Sequence, residues 1–410
     1  DGGLYVPEHV EPWTDAELTR LPQRTLTEIA YRALRPYTRP QLDAAICEAV
    51  VAEALNFPIP LVEVQPGIYA HELFHGPTLA FKDVGARTMA RLMASVDTGE
   101  QPLTVLAATS GDTGSAVAHA FHRVPGVRVI VLFPEAEISV SQRKLMTTLK
   151  ANIRTVAITG KFDDSQAMVK RAFTDPALEH IHLSSANSIN IGRLLPQSVY
   201  YFYAASRLAR PGEPMVFSIP SGNFGDMMGA IVAREMGLPV RKIVAAVNDN
   251  DAFTKFLASG SYQKISPSRN SLSNAMNVGH PSNLARLVSV YGGQMDETGK
   301  IMPADRSKKH VYLSLKVKDV SGDGPIKLFV RVEQAGKVKI GKFALAEKVL
   351  DLAPVDAAAD PAQGLSYEFF LTGRTDNKDR GRIEARGKFE IGETSIVEHA
   401  GRGHALRPLH

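Results

Sequence analysis

The chain has a single cysteine, Cys47, in 410 residues. One thiol can form no intrachain disulfide and no Cys-rich metal site, so a reducing compartment is expected, the cytoplasm being the simplest. Tryptophan also occurs only once, and no apolar run approaches the roughly 20 residues that a membrane span needs, so no membrane partner is expected. Strong charge is missing too. The formal net charge of +4 resides in residues 301–410, where 19 Lys and Arg face 15 Asp and Glu, while residues 1–300 carry 28 of each sign. Without a basic cluster laced with aromatics, nucleic acid is not an expected partner. Asp1 stands where a methionine would, and no basic, apolar leader follows it, so the first residue reads as a cut.

What is present describes a globular protein. Hydrophobic residues make up 44% and charged residues 22%, enough to bury a sizeable core, and the length predicts two or three domains. Within residues 25–55, TEIAYRAL and AAICEAVVAEAL repeat apolar residues at helical spacing, so 1–65 reads as a helical N-terminal portion. From there short apolar runs, TVLAATSG (104–111), VRVIVLFP (127–134), IRTVAITG (153–160) and RKIVAAVN (241–248), alternate with helix-like SAVAHAF and SQAMVKRAF. Strand, loop and helix in repetition predict parallel sheets covered by helices. Near residue 305 the period changes to two, in VYLSLKVK and IKLFVRVE, predicting half-buried antiparallel strands. FALAEKVLDLA (343–353) could hold a helix, and TDNKDRGR (375–382) reads as a loop.

Two Gly-rich loops stand where strand passes into helix: TSGDTG (109–114) and SGNFGD (221–226). Each places backbone N–H groups, small hydroxyls and a helix N-terminus around one spot, which suits an anion. Neither has triphosphate-loop or dinucleotide-loop spacing, and each taken alone is equally a tight turn without a ligand. HGPTLAFKD (75–83) adds Lys82 directly after Phe81. In apolar surroundings the amine would be biased toward its neutral, nucleophilic form; the bland reading is a lysine at a helix start with its head in water. A reactive lysine with two anion cradles fits an aldehyde cofactor bearing a phosphate, condensed with an amino acid bearing a carboxylate, and pyridoxal phosphate is such a cofactor. His71 and His75 lie four apart, but Gly76–Pro77 breaks any helix there, so no metal is expected.

HELFHGPTLAFKD (71–83), ATSGDTGSAVAHAF (108–121), SSANSINIGRLLPQ (184–197), PSGNFGDMMGA (220–230) and LSNAMNVGHPSN (272–283) together resemble the threonine synthases, pyridoxal-phosphate enzymes of the tryptophan-synthase-β type. The resemblance implies an α/β, two-lobed fold with parallel sheets across residues 66–304, with a smaller lobe at about 83–165; the β-rich segment read from the period of two, 305–410, follows it and has an unknown role. It implies that Lys82 carries pyridoxal 5'-phosphate in a Schiff base and moves protons, and that Gly222, Asn223, Phe224 and Asp226 line the cofactor phosphate. Asp112 would face the cofactor, Ser110 and Thr113 the substrate carboxylate. Asn187, Ser188, Asn190 and Arg193 would take a substrate phosphate, although these four read equally well as a polar loop capping the next helix. The substrate implied is a phosphorylated amino acid, O-phosphohomoserine, converted with water to threonine and phosphate. A serine or threonine dehydratase-like lyase of the same fold is the alternative, though it leaves Arg193 unused. The resemblance ends near residue 304. The tail has no PHTAV-like stretch, whose hydroxyl faces the pyridine nitrogen in that family, so impaired activity or a scaffold role is a further expected outcome.

Overall fold

Two Thr-x-x-Glu boxes set where the first helices begin. Thr14 and Glu17 start α1 (Asp15–Thr19), and Thr25 and Glu28 start α2 (Leu26–Thr38), each pair exchanging side-chain bonds with the other's backbone N–H. Both therefore satisfy donors that a helix start leaves free. Along α2 the buried residues Ile29, Ala30, Ala33 and Leu34 share one face, and α3 (Ala44–Ala54) buries Cys47, Val50, Val51 and Ala54. These are the helices expected within 25–55. An antiparallel hairpin follows, β1 (Leu61–Gln65) with β2 (Ile68–His71). The computed structural model describes residues 4–302 except 8, 40, 97–100, 292 and 297, and beyond them only strand segments between 312 and 398. It divides into two compact units, Asp1–Met302 and Pro303–His410.

The expected alternation of strand and helix forms the first sheet. After α4 (Lys82–Ser95) come β3 (Leu103–Ala108), α5 (Asp112–Phe121), β4 (Val127–Pro134), α6 (Val140–Thr147), β5 (Ile153–Ile158), α7 (Phe162–Ala172) and β6 (Leu183–Ser185). The strands run parallel in the order β5-β4-β3-β6. Every residue of β3 is buried, which is why its sequence, LTVLAA, is apolar but for Thr104: a strand covered on both faces has no solvent side to alternate toward. A small lobe ending near 165 leaves out β6, which pairs with β3 from Thr104 to Leu106. Three residues, LSS, carry no strand signal of their own; β3 supplies the partner that makes them one.

Next come α8 (Ile191–Leu194), α9 (Ser198–Leu208), β7 (Met215–Pro220), α10 (Gly225–Glu235), β8 (Val240–Ala246), α11 (Ala252–Ser259), α12 (Leu284–Val290), and the short pair β9 (Gln294–Met295) and β10 (Ile301–Met302). A second core joins α2, α9 and α10, with Ile29, Leu34, Phe202, Met228 and Ile231 all buried. Among the described residues β7 and β8 form a parallel sheet of only two strands. One face of it stays open, with Val216 52% and Val244 40% exposed.

In the second unit β12 (Lys327–Gln334), β13 (Lys337–Ala344), β15 (Ser366–Thr372), β16 (Arg382–Phe389) and β17 (Ile396–Glu398) form an antiparallel sheet in the order β13-β12-β15-β16-β17. A separate pair joins β11 (Tyr312–Leu313) to β14 (Leu350–Asp351). The period of two in IKLFVRVE thus corresponds to β12. In FALAEKVLDLA, Phe343 and Ala344 end β13 and Leu350–Asp351 pair as β14; its other residues, where a helix is expected, and the expected loop at 375–381, lie outside the described residues.

Candidate active site

Lys82 opens α4, and the acid after it explains its placement. Asp83, 1% exposed, turns back to accept hydrogen bonds from the Thr78 backbone N–H (2.8 Å) and hydroxyl (2.7 Å). That closes the 76–83 loop onto the helix start, and Gly76 is required because a Cβ there would lie 2.5 Å from the Asp83 carboxylate. From behind, the Tyr200 hydroxyl donates to the Phe81 carbonyl. The lysine is thereby aimed inward: its side chain is 12% exposed, with Nζ 4.3 Å from the Phe81 ring centroid and 3.3 Å from Asp112 Oδ2. Apolar surroundings alone do not describe this amine. A carboxylate faces it, brought in by the tertiary fold from 30 residues along the chain.

Asp112 begins α5, after the first glycine loop. The Thr109 hydroxyl accepts from the N–H groups of Gly111 (2.9 Å) and Gly114 (2.7 Å), which tightens the turn, and Gly111 has φ +130°, a conformation other residues rarely adopt. Burial would push the Asp112 carboxyl up, but the charge of Lys82 and hydrogen bonds from Gln142 and Lys82 hold it below its usual value. The second glycine loop ends with Phe224 in the left-handed region at φ +60°, so that Gly225 can open α10 with its first N–H groups directed out of the helix end.

Both loops meet one segment. Ser110 Oγ donates to the Ala275 carbonyl (3.4 Å), and a Cβ on Gly222 would come within 2.9 Å of Met276 Cα. LSNAMNVGHPSN therefore lies against both glycine turns. Thr113 is half-buried in the first turn of α5, on the same loop as Ser110 and Asp112.

The remaining sequence-predicted residues separate into groups. Asn223 donates to Ser188 Oγ (2.8 Å), as does Asn283 (3.0 Å); with two amides already accepted, that hydroxyl has its own proton to donate. Asn187 spends its side-chain oxygen and an amide hydrogen on both backbone groups of Ala108, fixing the end of β3. Asn190 caps α8, accepting from the Gly192 N–H (3.0 Å), and donates to the Ser185 carbonyl (2.9 Å). Both amides thus hold backbone, Asn190 at a helix start and Asn187 at a strand end. Arg193 is 2% exposed, donates to the Ala186 carbonyl, and keeps its Nε without a hydrogen-bond partner. Burial pushes its guanidinium down to about 10, with Tyr200 and Asp83 opposing. Asp226 turns away from the loop to accept from the Tyr201 hydroxyl at 2.8 Å. A carboxylate offers a phosphate no donor, so Asp226 supports the turn from behind.

Several contributors carried no individual signal in sequence. Tyr200 and Tyr201 lie in an aromatic helix that reads simply as core. Arg286 is buried and donates to the carbonyls of Tyr5, Ser188 and Ile189, tying the Ser188 turn to α12. Gln142 donates to Asp112 Oδ1 at 2.7 Å, and only its place in the S-x-x-Q capping box of α6 could be read beforehand. His71 packs between Tyr200 and Tyr203 and is pushed down to about 4 by burial, a neutral core histidine. Among the described residues no group of three or more His, Cys, Asp or Glu is placed to hold a metal ion.

An inward lysine, a glycine whose side-chain space is taken by neighbouring backbone, and a helix N-terminus behind a left-handed residue fit an aldehyde cofactor with a phosphate. Comparison with known proteins agrees. Residues 54–298 match the family described as "Pyridoxal-phosphate dependent enzyme". Threonine synthase from Serratia marcescens is 43% identical over 318 residues, covering 76% of this chain and 74% of that protein. The chain belongs to the threonine synthase family. It is a pyridoxal-phosphate-dependent lyase by that membership. Threonine synthase from Escherichia coli superposes with a TM-score of 0.67 at 42% identity, covering 70% of this chain and 68% of that one. The pyridoxal-phosphate-bound threonine synthase from Brucella melitensis gives 0.65 at 38% identity, covering 70% and 63%. No helix among the described residues is long and apolar enough to cross a membrane.

Proposed function

We propose that this threonine synthase family member converts O-phospho-L-homoserine and water to L-threonine and phosphate, with pyridoxal phosphate carried on Lys82. The observation that carries the assignment of the lysine is its inward Nζ, 3.3 Å from Asp112 on one glycine loop, while the other loop meets the same 274–276 segment. Bound there, the cofactor supplies an electron sink that lets protons leave the carbons beside the substrate amine. Everything else falls to side chains and backbone of this chain. The Gly222–Phe224 turn and the first N–H groups of α10 take the cofactor phosphate. Ser110 and Thr113 orient the substrate carboxylate, and Lys82, with Asp112 as its acceptor, holds and returns protons at Nζ.

For the phosphate that leaves the substrate, Ser188 and Arg193 are the donors. The Ser188 hydroxyl is held by two amides with its proton to spare, and the unpartnered Nε–H of Arg193 is a buried donor whose desolvation an arriving anion would offset. Asn187 and Asn190 serve as scaffolding for that turn. A single buried cysteine suits a reducing interior, and we place the protein in the cytoplasm.

Borohydride reduction of the cofactor-loaded chain is expected to leave the cofactor's mass on the peptide containing Lys82. Lys82→Ala is expected to abolish the visible band and lower turnover by about 10³-fold or more. Label on another lysine overturns the assignment. Release of inorganic phosphate from O-phosphohomoserine, rather than ammonia from threonine, separates this reading from the dehydratase-like one.

A further inference from the structure

The hydrogen bonds behind Asp112 have a direction, and it is set from both ends. An ionised carboxylate only accepts, so the Gln142 amide must present Nε2 to Asp112 Oδ1, at 2.7 Å. That orientation turns Oε1 the other way, where it accepts from Asn274 Nδ2 (3.0 Å) and from the Ser139 N–H (3.0 Å). Asn274 is in turn anchored by donating to the Glu137 carbonyl at 3.1 Å. No second rotation of the amide satisfies all of these partners.

Independent support comes from the loop beneath. A Cβ on Gly111 would lie 2.4–2.5 Å from three atoms of the Gln142 amide, so the backbone of the glycine turn is bare where that amide passes over it. Gln142 also stands in the first turn of α6, its carbonyl accepting from Ser115 Oγ at 3.2 Å, so its own backbone is tied to α5. Asp112, by contrast, keeps 28% of its side chain exposed. Without the amide it is free to swing toward water.

We propose that Gln142 is a positioning residue for the lysine: by holding Oδ1 of Asp112, it keeps Oδ2 aimed at Lys82 Nζ. Its importance for catalysis rests on Lys82 being the cofactor lysine, but the contact itself exists without cofactor. Gln142 touches neither cofactor nor substrate in this scheme; it acts through Asp112.

The test is whether its effect disappears when Asp112 can no longer respond. In the cofactor-free full chain, brief acylation at one fixed pH, read by mass spectrometry as the labelled fraction of the Lys82 peptide, reports how firmly Asp112 holds that amine. Gln142→Leu is expected to raise the labelled fraction about threefold, because the acceptor no longer stays in place. In an Asp112→Asn background the same substitution is expected to have no further effect. An equal rise in both backgrounds, or none in either, overturns the proposal, since loss of the α6 cap alone does not depend on Asp112. Should Gln142→Leu melt early, Gln142→Met keeps the stem over Gly111 and replaces it. After loading with pyridoxal phosphate, the pH midpoint of the visible band is expected to show the same dependence on background. A parent chain that carries no cofactor on Lys82 would end the functional reading and leave the acylation result standing.

Discussion

Asp226 shows how one buried side chain can set a pH dependence. Burial pushes its carboxyl up to about 6, against the lowering effects of the Tyr201 hydrogen bond and of Lys82. An unfolded aspartate titrates near 3.9, so the folded state holds this proton more tightly. The contribution to stability is full below about pH 4 and is lost as pH rises through about 6, amounting to about 3 kcal/mol. Asp226→Asn keeps an acceptor for Tyr201 and removes the titration. Relative to the parent, the cofactor-free variant is therefore expected to gain stability progressively from pH 4 to 7, as measured by denaturant unfolding at each pH. A difference that stays flat across that range would show that the folded carboxyl binds its proton no more tightly than the unfolded one. At this scale the sequence was only partly legible. Lys82 could be singled out because Phe81 precedes it and glycine loops lie elsewhere in the chain, but nothing local says that Asp226 faces Tyr201, or that Asn187 serves β3. An amide or carboxylate reads as a ligand until its partners are known.

The two strand-to-helix turns do at the scale of an element what no single side chain does. Each bares a helix N-terminus, and each packs its glycine against another part of the chain, Gly111 against Gln142 and Gly222 against Met276. Gly222→Ala would force its Cβ to within 2.9 Å of backbone, which cannot move aside as a side-chain tip can. The 274–276 segment must shift, and the cradle opens. Apparent affinity for pyridoxal phosphate, titrated by absorbance, is expected to fall by at least about tenfold, since roughly 1.4 kcal/mol of lost contact suffices. Unchanged affinity would place the cofactor phosphate away from this turn. These turns were visible in sequence because glycine, small hydroxyls and the change from apolar run to helical spacing are local signals. β6 was not visible, because a three-residue strand exists only through its partner.

At the scale of the whole molecule, the least ordinary feature among the described residues is the two-stranded sheet made of β7 and β8. Two strands leave most of one face to solvent, and Val216 and Val244 on it are largely exposed. Exposed β-branched residues favour association more than they favour folding. Val216→Thr with Val244→Thr keeps the strand preference and removes the apolar surface. The pair is expected to reduce binding of a hydrophobic dye and concentration-dependent association, with Tm within a few degrees of the parent. A drop of more than about 5 °C would mean that this face is covered in solution. Relatives in the family are longer than the matched stretch, with 74% of the Serratia marcescens protein covered, and the antiparallel sheet of residues 327–398 has its own register and its own pairing.

What the residues alone determined is the alternation of buried strand and amphipathic helix, the position of both glycine turns, and the candidate lysine that precedes them. Each of these is a matter of neighbours within a few positions, where backbone sterics and apolar spacing act directly. Only the tertiary structure decided that Asp112 meets that lysine, that Gln142 holds Asp112, and that 274–276 lies against both turns. Those contacts span 30 to 165 positions of chain, and a hydrogen bond selects its partner by distance and direction, neither of which is written in a linear order.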